Sequence, residues 1–149
     1  MTTTTPARRT STDMPVLFAV GGATVSLALM AYATFKEDEQ LPGDLGAFLW
    51  GVPITVAATA LIFLLVVAPV LRSPGAEAPA RAALVLSLLA VATLAIAFIA
   101  GLPVLLAAAA TCTAMAARRR AGRWTVVPGV AVTLSVVAVV VTTVLAIVG

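Results

Sequence analysis

The sequence predicts an all-α protein, a polytopic bundle of five transmembrane helices, with four spans as the alternative. Three observations lead to this fold class. Apolar residues make up 62% of the 149 residues, while charged residues make up 10%, against roughly 25% in soluble domains. The mean hydropathy is +1.15. The apolar residues also form long stretches of about 20 residues or more, the length that crosses a bilayer. This composition excludes a soluble globular domain, a disordered chain and a disulfide-stapled secreted module.

The N-terminal segment is polar and rich in threonine. Residues 1–13 lack apolar periodicity and predict a disordered cytoplasmic tail. Residues 14–149 then form a single transmembrane domain, whose first span covers residues 14–35. A signal peptide over residues 1–33 is the alternative, with Ala31-Tyr32-Ala33 as its cleavage site. The apolar stretch is long for a signal peptide, which favours an uncleaved span.

Two more spans are uninterrupted, at residues 45–71 and 124–148. The apolar stretch between them, residues 82–117, would be about 54 Å long as one helix, too long for a single crossing. Gly101-Leu102-Pro103 interrupts it, and a Gly-Pro turn marks the start of a new helix. The sequence therefore predicts a third span at residues 82–100 and a fourth at residues 103–117.

The fourth span is the weakest of the five. It is short and rich in alanine, which contributes less to membrane insertion than leucine or isoleucine. Arg118, Arg119 and Arg120 would extend its helix, with their side chains reaching the headgroups. A re-entrant fourth segment, or a four-span protein, stays open on this evidence.

Charge placement supports five spans independently. With five spans, all eight arginines lie on one side of the membrane: Arg8, Arg9, Arg72, Arg81, Arg118, Arg119, Arg120 and Arg123. The loop from Lys36 to Asp44, net charge about −3, lies on the other side. Because cytoplasmic loops collect arginine and lysine, the N-terminus is predicted inside and the C-terminus outside. The prevalence of arginine, alanine and valine fits a bacterial chain, and thus the bacterial inner membrane.

Aromatic residues near the predicted span ends agree with this topology. They are Tyr32, Phe35, Phe48 and Trp50 at the outer side and Trp124 at the inner side. Amphipathic rings favour the headgroup level.

The chemistry of enzymes and ion-coupled carriers is missing from the predicted spans. No Asp, Glu, Lys, Arg or His lies within them, and the chain has no histidine. We therefore predict no catalytic, cofactor-binding or metal site, and no enzyme activity. Cys112, the lone cysteine, is interpreted as a packing residue. The acidic loop at Lys36–Asp44 lacks the ligand spacing of a calcium loop and is interpreted as a solvated segment.

Small residues at helical spacing predict where the helices pack against one another, because helices in lipid associate through close packing and side-chain hydrogen bonds. The candidates are Gly22, Ser26, Thr55, Thr59, Thr93, Ala97, Gly101, Ala138, Thr142 and Ala146. Among the prolines of the spans, Pro53 is the one placed where a kink would line a cavity.

Arg118, Arg119, Arg120 and Arg123 have two interpretations, as topology determinants and as ligands for anionic lipid headgroups. The isoelectric point near 10.0 does not favour nucleic-acid binding, since the chain offers no folded basic surface.

The stretch from Arg81 to Gly149 combines an Ala/Leu/Val helix, a Gly-Leu-Pro turn, a short helix ending in Arg118-Arg119-Arg120 and a final Val/Leu helix. It resembles small multi-pass bacterial membrane domains of an actinobacterial type, of unknown function. The helices of that type are usually richer in glycine; here the third span has Ser87 and alanines. The resemblance implies a multi-pass fold and no particular activity.

Two functions follow as hypotheses. The first is a small non-enzymatic membrane protein, an accessory or structural component of a membrane complex or homo-oligomer, whose partners are lipid and another membrane protein or a second copy. The alternative is a small permease or channel with a hydroxyl-lined path. Its lining residues would be Thr55, Thr59, Thr133 and Ser135. Hydroxyls bonded to backbone carbonyls would count against this alternative.

Overall fold

The computed structural model describes residues 13–36, 44–94 and 101–148. Over these ranges the chain is helical and contains no strand, which confirms the all-α class. Its five helices are α1 (Asp13–Phe35), α2 (Leu45–Arg72), α3 (Glu77–Thr93), α4 (Leu102–Ala121) and α5 (Val126–Val148). Each predicted span corresponds to one helix.

Four predictions fall outside the described residues. They concern the N-terminal tail with Arg8 and Arg9, the acidic loop between α1 and α2, the packing position Ala97, and the end of the predicted third span.

Consecutive helices run in opposite directions. The start of α1 lies beside the end of α2, where Val16 and Arg72 line one groove. At the other end, the rings of Phe35 and Phe48 pack edge to face with centroids 5.5 Å apart. Gly22 of α1 faces Ala108 of α4, whereas four residues later α1 faces Gly101. Because these helices alternate, α1, α3 and α5 begin at the same end of the bundle.

That common end carries every arginine of the described residues. We call it the arginine end and define it by Arg72, Arg81, Arg118, Arg119, Arg120 and Arg123. At the opposite end, the Lys36 ammonium donates a hydrogen bond to the carbonyl of Ile147, which joins the last turns of α1 and α5.

α4 occupies the centre of the bundle and packs against all four other helices. Six of its twelve buried residues are alanines, and Leu105, Cys112 and Thr113 are among the others. α2 and α5 pack on α4 without a substantial contact with each other. Small side chains let the surrounding helices approach this central helix closely.

α2 departs from α-helical geometry at Ile62–Val67, which form a π-helical segment. There the N–H of Ala68 donates to the carbonyl of Phe63, five residues earlier. Pro69 follows at once. Its ring clashes with the carbonyl four residues before it in a regular helix and it donates no hydrogen bond, so a wider turn accommodates it. The irregularity thus lies before Pro69, and not at Pro53, which sits inside a regular α-helical stretch.

Three helix boundaries differ from the predicted ones. α3 begins at Glu77, earlier than residue 82, and includes Arg81, whose guanidinium lies 3.2 Å from the Glu77 carboxylate. Ion pairs at this i, i+4 spacing stabilise helices. The two charged residues therefore belong to the first turns of α3 and do not lie in the loop before it. α4 continues to Ala121, through Arg118–Arg120, and Gly122 ends it in the left-handed conformation with φ of 69°. α5 begins at Val126, two residues after Trp124.

Three helices of the described chain are long and apolar enough to cross a membrane: Asp13–Phe35, Leu45–Arg72 and Val126–Val148. α3 and α4 are not among them. The structure thus supports a membrane location through three clear spans.

Candidate functional site

A close helix contact joins α1 to α4 at Gly22. A methyl group added at Gly22 would lie 2.8 Å from the Cβ of Ala108, too close for two carbon atoms. Gly21, the neighbouring residue, faces open space. Gly22 is therefore the position at which the absence of a side chain sets the distance between the two helices.

Ser26 lies one turn further along the same face of α1 and is fully buried. A Cβ added at Gly101 would lie 2.0 Å from its Oγ and 3.9 Å from the Oγ1 of Thr55. Among the described residues the Ser26 hydroxyl has no hydrogen-bond partner, although buried hydroxyls nearly always have one. Three sequence-predicted positions from three parts of the chain, Ser26, Thr55 and Gly101, thus meet at one place.

The other predicted packing positions are distributed over the remaining contacts. Thr59, Ala138 and Thr142 are buried, whereas Thr93 and Ala146 are half-buried. The structure thus brings Ser26, Thr55 and Gly101 together, whereas Gly22 lies further along α4 at Ala108.

The four hydroxyl residues of the hypothetical transport path do not line one path. Thr55 and Thr59 are on α2, Thr133 and Ser135 are on α5, and α4 lies between the two helices. Thr133 is exposed on the outer surface, whereas Ser135 is buried.

Three of these hydroxyls, those of Thr59, Thr133 and Ser135, donate hydrogen bonds within their own helices. Thr59 donates to the carbonyl of Thr55 at 2.7 Å, Ser135 to Ala131 at 2.8 Å, and Thr133 to Gly129 at 3.1 Å. Such bonds to the residue one turn earlier satisfy the hydroxyl locally.

At the arginine end, Arg120 makes contacts that the sequence did not predict. Its guanidinium donates to the carbonyls of Ser73 and Gly75, each at 2.7 Å, and to the carbonyl of Leu71. Leu71 lies in the last turn of α2, where carbonyls have no partner within the helix. A cation there also interacts favourably with the helix dipole. Arg120 therefore joins the end of α4 to the end of α2.

The neighbouring arginines differ from Arg120. The guanidinium carbon of Arg118 lies 4.7 Å from the centroid of the Trp124 ring, a cation–π geometry. Arg119 and Arg123 are exposed and are free to meet headgroups or solvent. Arg120 differs from the other arginines of this run because it contacts residues nearly fifty positions earlier in the chain. A local sequence pattern does not predict such a contact.

No family model, no curated protein and no solved structure matches this chain.

The described residues include few side chains that could bind a metal ion or act as a nucleophile. Among them, no group of three His, Cys, Asp or Glu side chains is placed to hold a metal ion. Cys112 is buried in α4. What the arrangement offers is close helix packing around α4 and a basic surface at one end.

Proposed function

We propose that this chain is a five-span inner-membrane protein with a non-enzymatic role, an accessory or structural component of a membrane complex or homo-oligomer. The observation that carries the proposal is the centre of the bundle. Alanines of α4 fill it, and the hydroxyls of Thr59, Ser135 and Thr142 donate to carbonyls of their own helices. A packed centre without free polar groups of this set is what we expect of a structural component.

The same observation weighs against the permease or channel. A hydroxyl-lined path needs polar groups that share one water-filled space. These residues lie on two separated helices, and Thr59, Thr133 and Ser135 donate to their own backbone. Flux of small solutes into liposomes containing the purified protein, above that of protein-free liposomes, would favour the transport alternative.

The third and fourth crossings, by α3 and α4, are supported by the alternating helix directions. Arg120 holds the end of α4 next to residues 71–75, so the two predicted cytoplasmic loops lie at one end. α4 contributes less apolar surface than the other helices because its neighbours cover it. In our proposal it lies inside the membrane between the other four helices and extends from the level of Ser26, near the middle of α1, to the arginine end.

The orientation follows from charge. All arginines of the described chain lie at one end, and arginine-rich loops face the cytoplasm. The N-terminus and the arginine end are therefore cytoplasmic in our proposal, and the C-terminus lies outside.

Retention of α1 belongs to the same proposal. Its Gly22 and Ser26 are buried against α4, so cleavage after Ala33 would remove one wall of the bundle. We expect N-terminal sequencing of the protein from membranes to find no chain that begins at Thr34; such a chain would overturn the five-span arrangement.

Affinity purification in a mild detergent, followed by mass spectrometry and by measurement of the molecular mass, tests the proposed role. We expect a stoichiometric membrane partner or a homo-oligomer. A monomer without partners would contradict the accessory role.

A further inference from the structure

An apolar groove opens between the first turns of α1 and the last turns of α2, at the arginine end. Its volume is about 410 Å³. Val16 and Ala19 of α1 form one wall, and Phe63, Leu64 and Ala68 form the other. Arg72 closes the end that lies nearest the predicted cytoplasmic surface.

The α2 wall of the groove is its longer wall. From Phe63 to Arg72 it follows nine residues of α2, about 14 Å of helix length. The π-helical segment supplies Phe63 and Leu64, so the wider turn before Pro69 forms part of the wall. A linear apolar chain that lies parallel to the helices fits this shape.

Two further grooves are lined by described residues, one of about 300 Å³ between α1, α4 and α5 and one of about 270 Å³ between α1, α2 and α4. Neither has a charged residue in its lining. The groove at Arg72 therefore differs from them in combining apolar walls with a cation at its rim.

We propose that this groove binds one anionic phospholipid, with an acyl chain along the α1–α2 walls and the phosphate on the Arg72 guanidinium. Guanidinium groups pair well with phosphate oxygens. Basic pockets between helices at the cytoplasmic side favour anionic headgroups. The proposal rests on the membrane location and orientation proposed above, and not on the accessory role.

The surrounding charges favour an anion at Arg72. Arg120 neutralises the carbonyls at the end of α2, which would otherwise repel a phosphate. Glu77 is paired with Arg81. The remaining acidic residue that the structure describes at this end, Asp13, begins α1 and does not line the groove.

The test uses the full chain purified in a neutral detergent. It is incubated with phosphatidylglycerol or with phosphatidylcholine of the same acyl chains, and the lipids retained are counted by native mass spectrometry. We expect preferential retention of phosphatidylglycerol. Arg72→Gln should weaken it about fivefold, to the level of phosphatidylcholine, the effect of one lost charge near the membrane surface. Arg81→Gln, at the same end but outside the groove, also frees the Glu77 carboxylate and should weaken retention much less than Arg72→Gln.

A second pair of variants tests the acyl-chain part. Ala19→Leu narrows the groove and should lower retention of both lipids, whereas Val20→Leu, on an exposed position of the same helix, should not. Equal retention by Arg72→Gln and Arg81→Gln would overturn the proposal, as would equal retention by Ala19→Leu and Val20→Leu. Displacement of the lipid by soluble glycerol phosphate would overturn the acyl-chain assignment. None of these results depends on whether a protein partner exists.

Discussion

At the scale of single residues, the contact between α1 and α4 depends on two positions without a side chain. Gly22 allows the two helices to approach until Ala108 is reached, and Gly101 leaves room for the Ser26 hydroxyl. Helices in lipid gain little from the hydrophobic effect and depend on such close contacts. One added methyl group at either position is therefore expected to matter more than a larger change on the surface.

Gly22→Ala should destabilise the bundle by about 1–3 kcal/mol, the usual cost of overpacking, because a methyl group 2.8 Å from the Ala108 Cβ forces the backbones apart. Gly21→Ala is the matched control and should cost nothing, since nothing lies within 4 Å of the added group. Thermal unfolding in detergent measures both. Ala108→Gly should restore part of the loss in Gly22→Ala; equal melting temperatures for Gly21→Ala and Gly22→Ala would contradict this packing.

Gly101→Ala and Ser26→Ala should be strongly non-additive. Gly101→Ala alone places a methyl group against the Ser26 Oγ and should lower the melting temperature. Ser26→Ala alone should be neutral or stabilising, because it removes a buried hydroxyl for which the described part of the chain offers no partner. In the double variant the clash with the hydroxyl is gone, so a double-mutant cycle should give a favourable coupling. Additive effects would mean that these residues do not touch.

At the scale of helices, two features hold α2 in place. The π-helical segment accommodates Pro69, and Arg120 binds the carbonyls at the helix end. Helix ends leave carbonyls unpaired, so a charged donor from a neighbouring helix stabilises both helices. Arg120 thereby has a structural role in addition to any role in topology.

Arg120→Gln should cost about 1 kcal/mol of stability, a typical value for a lost hydrogen-bond contribution. Arg120→Lys should restore only part of it, since an ammonium cannot match the planar fork that reaches three carbonyls. Arg119→Gln, one residue earlier and exposed, is the control and should leave the melting temperature unchanged. If Arg119→Gln and Arg120→Gln lower it equally, the contacts of Arg120 do not contribute to stability.

Over the whole molecule, the separation of charge along the bundle axis leads to a topology that can be measured. Single cysteines at Ser73 and Thr125 should both react from the cytoplasmic side, and one at Gln40 should react from outside. Cys112 is fully buried and should not react with the labelling reagent, so the native cysteine does not interfere. If position 125 labels together with position 40, the protein has four spans, and α4 does not cross.

The whole molecule also explains why α4 gave the weakest sequence signal. Hydropathy measures the preference of a segment for lipid, but α4 is surrounded by the other helices and meets little lipid. Alanine at its buried positions serves close packing. The high alanine content of α4 therefore lowers its hydropathy and at the same time allows the close packing that a central helix needs.

The amino-acid sequence by itself determined the helical class, the number and order of the helices, and the grouping of arginines, because these depend on local composition and on charge in short loops. It also identified Gly22, Ser26, Thr55 and Gly101 as packing positions. Only the tertiary structure decided which of them meet, that α4 lies at the centre, that Arg120 binds the end of α2, and that Arg72 borders a groove. These contacts join residues far apart in the chain, and their geometry depends on how whole helices pack, which no local pattern records.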